Sequence, residues 1–65
     1  MCQTSLYIEK DGAEELLLED VTQLVVNENG VTVATLFEGP REVSGTVLRS
    51  IDFVAGRVLL GPAAG

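Results

Sequence analysis

The sequence predicts an all-β protein, a small SH3-like barrel or roll of five to six short strands. Stretches of alternating apolar and polar residues, clusters of β-branched residues, and turn residues at short intervals predict this class. Because 65 residues can build only one hydrophobic core, we expect a single domain over residues 1–61 and a flexible tail over 62–65. Short strands joined by hairpins in so short a chain must curve strongly, as they do in small barrels.

The first predicted strand is TSLYIE, residues 4–9, in which alternate side chains suit a buried face. Leu6 and Ile8 lie on that face, and the residues between them lie on the other. Asp11 and Gly12 come next, and an Asp-Gly pair is a strong signal for a tight hairpin turn. The chain is therefore expected to fold straight back on its first strand.

The following segment, AEELLLEDVTQLVV at 13–26, has an ambiguous pattern. Leu17, Val21 and Leu24 have the spacing of a helix, and acidic residues at its start would suit a first helical turn. The β-branched residues in its second half favour strands instead. We interpret the segment as two strands separated by a turn at 19–20.

The first of these strands, 16–18, is expected to pair with the opening strand, and the second, 22–29, ends at an Asn-Gly turn. VTVATLF at 31–37 is dense in β-branched and aromatic residues, so it is predicted to be a central strand. The Gly-Pro pair at 39–40 ends it, because proline cannot donate a ladder hydrogen bond.

REVSGTVLRSIDF at 41–53 is predicted as one long strand. Its residues of one parity are expected to face inward: Val43, Gly45, Val47, Ile51 and Phe53. An inward glycine is typical of a strand that bends sharply at a barrel corner. A tight turn at 55–56 then leads to the last predicted strand, 57–60.

The charge of the chain opposes nucleic-acid binding. Ten acidic residues against four basic ones give a net charge of −6, whereas phosphate neutralisation supplies most of the affinity of nucleic-acid binders. The aromatic residues are Tyr7, Phe37 and Phe53, and we expect both phenylalanines in the core, where they could not stack on bases. With no apolar run long enough to span a bilayer and no signal-peptide pattern, we expect a cytoplasmic protein without membrane association.

Constellations for enzymatic catalysis are nearly absent from the sequence, so we predict that the protein is not an enzyme. The chain has no histidine, which excludes cysteine–histidine and serine–histidine–aspartate arrangements within one copy. Carboxylate pairs occur at 14–15 and 19–20. Because both pairs adjoin turns, we interpret them as solvated surface groups.

The candidate metal ligand is Cys2, the single cysteine. A lone cysteine near a terminus is most often only a small apolar side chain. If Met1 is removed, however, the new amine and the Cys2 thiolate can close a five-membered chelate ring. If Met1 stays, its amine, the Cys2 backbone nitrogen and the Cys2 sulfur can instead close two fused rings of this kind. Planar nitrogen–sulfur coordination of this kind suits nickel(II) or copper(II).

Self-association is the expected solution to the small size of the chain. A domain of this length buries only about 60% of the surface that its unfolded chain exposes, and a single cysteine allows no internal disulfide. Small sheets also leave unpaired edges, which a second copy can cover. A two-fold homodimer whose N-termini meet at the axis would bring two Cys2 thiolates to one metal ion.

The sequence resembles the CooT-type small nickel-binding proteins over about residues 1–61. The resemblance rests on the opening MC, the DG turn, EELLLEDV, the NG turn, VTVATLFEG and the closing IDFVAGRVLL. It implies a homodimeric small β-barrel that binds Ni(II) through Cys2 near the dimer interface. It also implies a role in the maturation of carbon monoxide dehydrogenase, with a maturation factor or the apo-enzyme as partner.

The sequence therefore supports two alternative functions. The first is a nickel-binding accessory protein, resembling a metallochaperone, that uses Cys2 at a homodimer interface. The alternative is an interaction module without a metal role, whose groove binds a peptide or RNA, as small barrels often do.

Overall fold

The computed structural model describes residues 3–63, and all its regular elements are strands. The seven strands are β1 Ser5–Lys10, β2 Ala13–Leu18, β3 Val21–Asn27, β4 Gly30–Thr35, β5 Arg41–Ser44, β6 Thr46–Asp52 and β7 Arg57–Pro62. The predicted all-β class is confirmed, and the ambiguous segment at 13–26 forms two strands. Within the described range there is no helix that could cross a membrane.

The strands form two sheets that pack as an open roll. One sheet has the order β2-β1-β7-β6 and the other has the order β3-β4-β5. Only β1 and β7 pair in parallel among the described strands; the remaining pairs are antiparallel. The first hairpin turns at Asp11 and Gly12, whose φ angles of 52° and 80° fit the turn type that Asp-Gly sequences favour.

The predicted long strand at 41–53 is instead two strands, which brings the strand number to seven. Gly45 has φ 71°, a left-handed conformation that glycine adopts without a steric penalty, and there the chain leaves one sheet for the other. The predicted bend is therefore real, but Gly45 itself does not point inward. A Cβ on Gly45 would meet nothing within 4 Å.

The chain reversal at Gly45 also changes which side chains face the core. Thr46 is buried and Leu48 packs against the core, whereas Val47, which was expected inside, is 43% exposed. A bulge between Leu48 and Ser50 shifts the parity once more. Strict alternation across a glycine turn and a bulge was the wrong assumption, since each of them displaces the register of side chains.

The core lies between the two sheets and is small. Its fully or nearly fully buried apolar residues come from β1, β4 and β7: Leu6, Val31, Val33, Val58 and Leu60. Partly buried side chains surround them: Ile8, Leu18, Val21, Leu24, Val43 and Leu48. The expected inward face of the first strand, Leu6 and Ile8, is confirmed.

Both phenylalanines lie outside this core, which corrects the expectation from the sequence. Phe37 is 80% exposed and Phe53 is 83% exposed. Each follows the end of a strand: Phe37 lies in the β4–β5 connection, and Phe53 comes directly after β6. Apolar side chains that lie in turns have no sheet face to pack against, so their burial requires another surface.

Candidate metal centre

Cys2, the predicted metal ligand, lies outside the described residues. Within 3–63, no group of three or more histidine, cysteine, aspartate or glutamate side chains is arranged to hold a metal ion. The structure describes the chain from Gln3, the residue that follows Cys2.

Backbone hydrogen bonds hold the start of β1 on two sides. The Ser5 N–H donates to the Gly56 carbonyl at 2.8 Å, and the Val21 N–H donates to the Thr4 carbonyl at 2.9 Å. Ser5 also begins the parallel pairing with β7, opposite Arg57. The chain is therefore fixed within the sheet structure from Thr4 onward.

The β6–β7 turn lies against the backbone of Gln3. The Asp52 carboxylate accepts hydrogen bonds from the Val54 and Ala55 N–H groups at 3.1 and 3.0 Å. At the end of the turn, Gly56 has φ 70°, and a Cβ there would lie 2.5 Å from the Gln3 carbonyl oxygen. The expected turn at 55–56 is confirmed, and close backbone contact explains its glycine.

Three exposed apolar side chains lie in the β6–β7 turn or in the last residues of β6. Val54 is 99% exposed, Phe53 is 83% exposed and Ile51 is 41% exposed. We call these three residues the terminal apolar patch. An open groove of about 210 Å³ runs from Thr4 between β3 and the β6–β7 turn, and Ile51 and Phe53 line it.

The predicted surface carboxylates are confirmed as solvent-accessible groups. Glu14 is about half exposed, and its Oε1 lies 2.8 Å from an Arg57 guanidinium nitrogen. The same guanidinium lies over the Tyr7 ring, 4.4 Å from its centroid. This arrangement orders the outer face of the four-stranded sheet but brings together no pair of carboxylates.

A second groove, of about 420 Å³, was not anticipated from the sequence. We call it the acidic groove, and its lining residues are Leu16, Leu17, Leu18, Glu19, Asp20, Thr35, Phe37 and Glu38. The β2–β3 turn forms one wall and the β4–β5 turn forms the other. The sequence signal for this groove was that apolar and acidic residues are neighbours in two segments, LLLED and LFEG. Only the fold shows that these two segments lie side by side.

Comparisons with known proteins agree on one family. The family model described as "CO dehydrogenase accessory protein CooT" matches residues 1–61. A crystal structure described as CooT from Carboxydothermus hydrogenoformans superposes with a TM-score of 0.81 and 27% sequence identity, covering 97% of this chain and 100% of that one. No curated protein matches the sequence.

Proposed function

Because this chain belongs to the CooT family of CO dehydrogenase accessory proteins, we propose that it binds Ni(II) through Cys2 at a homodimer interface for nickel-enzyme maturation. Carbon monoxide dehydrogenase is the proposed recipient of the ion. The observation that carries the proposal is the family match over 1–61, which begins at the N-terminus and includes Cys2.

The donors available at the N-terminus suit this cargo. A thiolate together with amine or backbone nitrogens favours planar coordination, which Ni(II) and Cu(II) adopt readily. Nickel must displace the thiol proton, so its apparent affinity should rise with pH. Ligands shared between two chains at an exposed seam would also release the ion to an enzyme more easily than a closed four-ligand cage would.

The terminal apolar patch supports a dimer at this end of the molecule. Phe53 and Val54 are the two most exposed large apolar side chains of residues 3–63, and their turn contacts the backbone of Gln3, the residue after Cys2. Burying each of them against a second copy would contribute about 1.5–3 kcal/mol before the losses of association. Such a contact would bring the two N-terminal segments to the same seam.

Nickel titration of the untagged protein tests the ligand. The wild type is expected to bind one Ni(II) per two chains and to show sulfur-to-nickel charge-transfer absorption, and Cys2→Ser is expected to lose both. Metal analysis with intact mass gives the metal-to-chain ratio and shows whether Met1 is retained. Tight binding with the same absorption in Cys2→Ser would refute Cys2 as the ligand.

Sedimentation velocity tests the dimer surface with two matched variants. Phe53→Ser is expected to dissociate the dimer and weaken nickel binding. Phe37→Ser changes an equally exposed phenylalanine at the acidic groove, so it should leave the dimer intact. A monomeric wild type at micromolar concentration, with and without nickel, would contradict the homodimer.

The RNA form of the alternative function gains little support from the exposed phenylalanines. They could stack on bases, but the net charge of −6 opposes approach of the phosphate backbone. The peptide form has a specific surface to consider, the acidic groove.

A further inference from the structure

We propose that the acidic groove docks a peptide segment of another protein, one whose apolar side chains are flanked by lysine or arginine. The inference rests on the proposed function in one respect: the segment is assigned to the enzyme that receives the nickel, carbon monoxide dehydrogenase. The shape, the exposed apolar surface and the charge of the groove support a docking site independently of nickel binding.

A backbone hydrogen bond joins the two walls of the groove, and further hydrogen bonds fix the β4–β5 wall, so the groove exists before any partner arrives. The Leu36 N–H, in the β4–β5 wall, donates to the Asp20 carbonyl in the β2–β3 wall at 2.9 Å. Within the β4–β5 wall, the Thr35 N–H donates to the Glu38 carbonyl at 3.1 Å, and the Glu38 N–H donates to Thr35 Oγ1 at 3.0 Å. A preformed groove reduces the ordering that binding would otherwise require.

The interior of the groove offers apolar anchoring surface. Phe37 is 80% exposed, Leu16 is 50% exposed and Leu17 is 36% exposed, and all three line it. A volume of about 420 Å³ lies within the range of ligand pockets and is enough for a few side chains. Aromatic side chains at the centre of such surfaces often carry a large share of binding energy.

The negative charge of the groove favours a basic partner. Glu19, Asp20 and Glu38 line the groove, and none of its described lining residues is basic. A second copy of this chain would bring the same carboxylates and a further net charge of −6 to the contact, and like charges facing each other oppose association. Lysine or arginine flanks on a different protein would complement the rim and speed the encounter.

A single peptide group connects the groove with the N-terminal segment. The carbonyl of Asp20 accepts from Leu36 in the groove wall, and the N–H of the same peptide group, which belongs to Val21, donates to the Thr4 carbonyl. A protein docked in the groove would therefore lie beside the segment that leads to Cys2. This position suits a recipient of the metal.

The first experiment maps binding of a synthetic peptide by amide chemical shifts of the 6.9 kDa chain. The probe carries two leucines flanked by four lysines, and its controls replace the leucines by serine or the lysines by glutamate. We expect shifts centred on 16–20 and 35–38, and affinity at least about tenfold above either control. Equal binding of the three peptides, shifts centred on 53–56, or no shift at about 1 mM probe would overturn the proposal.

Matched variants separate the groove from the rest of the surface. Phe37→Ser is expected to weaken peptide binding about tenfold, and Phe53→Ser is expected to leave it unchanged. Glu38→Lys and Glu28→Lys both change the net charge from −6 to −4, because each replaces −1 by +1, but only Glu38 lines the groove. Equal losses within either pair would refute a site at the groove, as would dissociation of the dimer by Phe37→Ser.

A competition experiment tests the assignment of the partner. Nickel-free carbon monoxide dehydrogenase from the same organism should displace the labelled peptide from the wild type, and it should bind Phe37→Ser at least about tenfold more weakly than Phe53→Ser. Failure to displace the peptide would refute the assigned partner. Nickel titration distinguishes this failure from failure of the proposed function, because Phe37→Ser should still bind nickel and Cys2→Ser should still bind the peptide.

Discussion

Replacing Gly56 by alanine tests whether the β6–β7 turn holds the N-terminal segment. The new Cβ would lie 2.5 Å from the Gln3 carbonyl oxygen, and the residue would keep a left-handed φ of 70°. The Cβ is fixed rigidly to the backbone of residue 56 and the Gln3 oxygen is a backbone atom, so the clash can be relieved only by moving the turn or Gln3. We expect loss of stability and displacement of the segment that follows Cys2.

A matched variant separates the two contributions to the loss of stability, the left-handed conformation and the clash. Gly45 has φ 71°, but a Cβ there meets nothing within 4 Å. Gly45→Ala should therefore cost only the left-handed conformation of alanine, about 1–2 kcal/mol. Gly56→Ala should add about 1–3 kcal/mol for overpacking. A 65-residue chain has a free energy of unfolding of about 3–10 kcal/mol, so Gly56→Ala removes a large part of it.

Thermal unfolding followed by circular dichroism, at one fixed protein concentration, measures the difference. Each 1 kcal/mol corresponds to about 4–8 °C in the melting temperature of a domain this small. Gly56→Ala should therefore melt at least several degrees below Gly45→Ala. Equal melting temperatures for the two variants would refute the inferred contact between the turn and Gln3.

Substitutions at four further positions probe the core and the outer face. Leu60→Ala, at a fully buried position, should lower the free energy of unfolding in urea by about 2–5 kcal/mol. Thr46→Val should lower it by about 0.5–1.5 kcal/mol because the buried hydroxyl donates to a backbone carbonyl at 3.0 Å, and Thr46→Ser should lose less. Glu14→Ala should lower the free energy of unfolding by at most about 1 kcal/mol, and by less at high salt, because it removes an exposed ion pair. Arg57→Ala should lower it by about 0.5–1 kcal/mol more, because it also removes the contact with the Tyr7 ring. Urea titrations at low and high salt check these values, and equal losses for Glu14→Ala and Arg57→Ala would contradict a stabilising contact with the ring.

Local patterns in the sequence were sufficient to predict most of the strands. Alternation around Leu6 and Ile8 and the Asp-Gly turn depend on neighbouring residues alone, and the structure confirms both. The segment at 13–26 was harder because its apolar residues fit two periods. Its pairing with β1 and β4 decides for strands, and such pairing is a tertiary property.

Features that depend on distant residues were not predictable in the same way. The sheet change at Gly45 resets side-chain parity, so Val47 is exposed where an uninterrupted strand would have buried it. Phe37 and Phe53 have the large apolar side chains that are typical of a core, but β4 and β6 end before these residues are reached. The acidic groove needs the β2–β3 and β4–β5 turns side by side, which no local pattern encodes.

The parallel pairing of β1 with β7 has a practical consequence for attaching the protein to surfaces. Ser5 lies opposite Arg57 and Ile8 lies opposite Leu60, so both strands run in the same direction. Ala63 therefore lies at the opposite end of the sheet from Gln3, and its N–H donates to the Gly45 carbonyl at 3.0 Å. A label or biosensor linker joined after Ala63 leaves from the end of the sheet away from the terminal apolar patch. Anchoring through the first residues would instead modify the amine beside Cys2, so immobilised-protein measurements of metal exchange should use the C-terminal attachment.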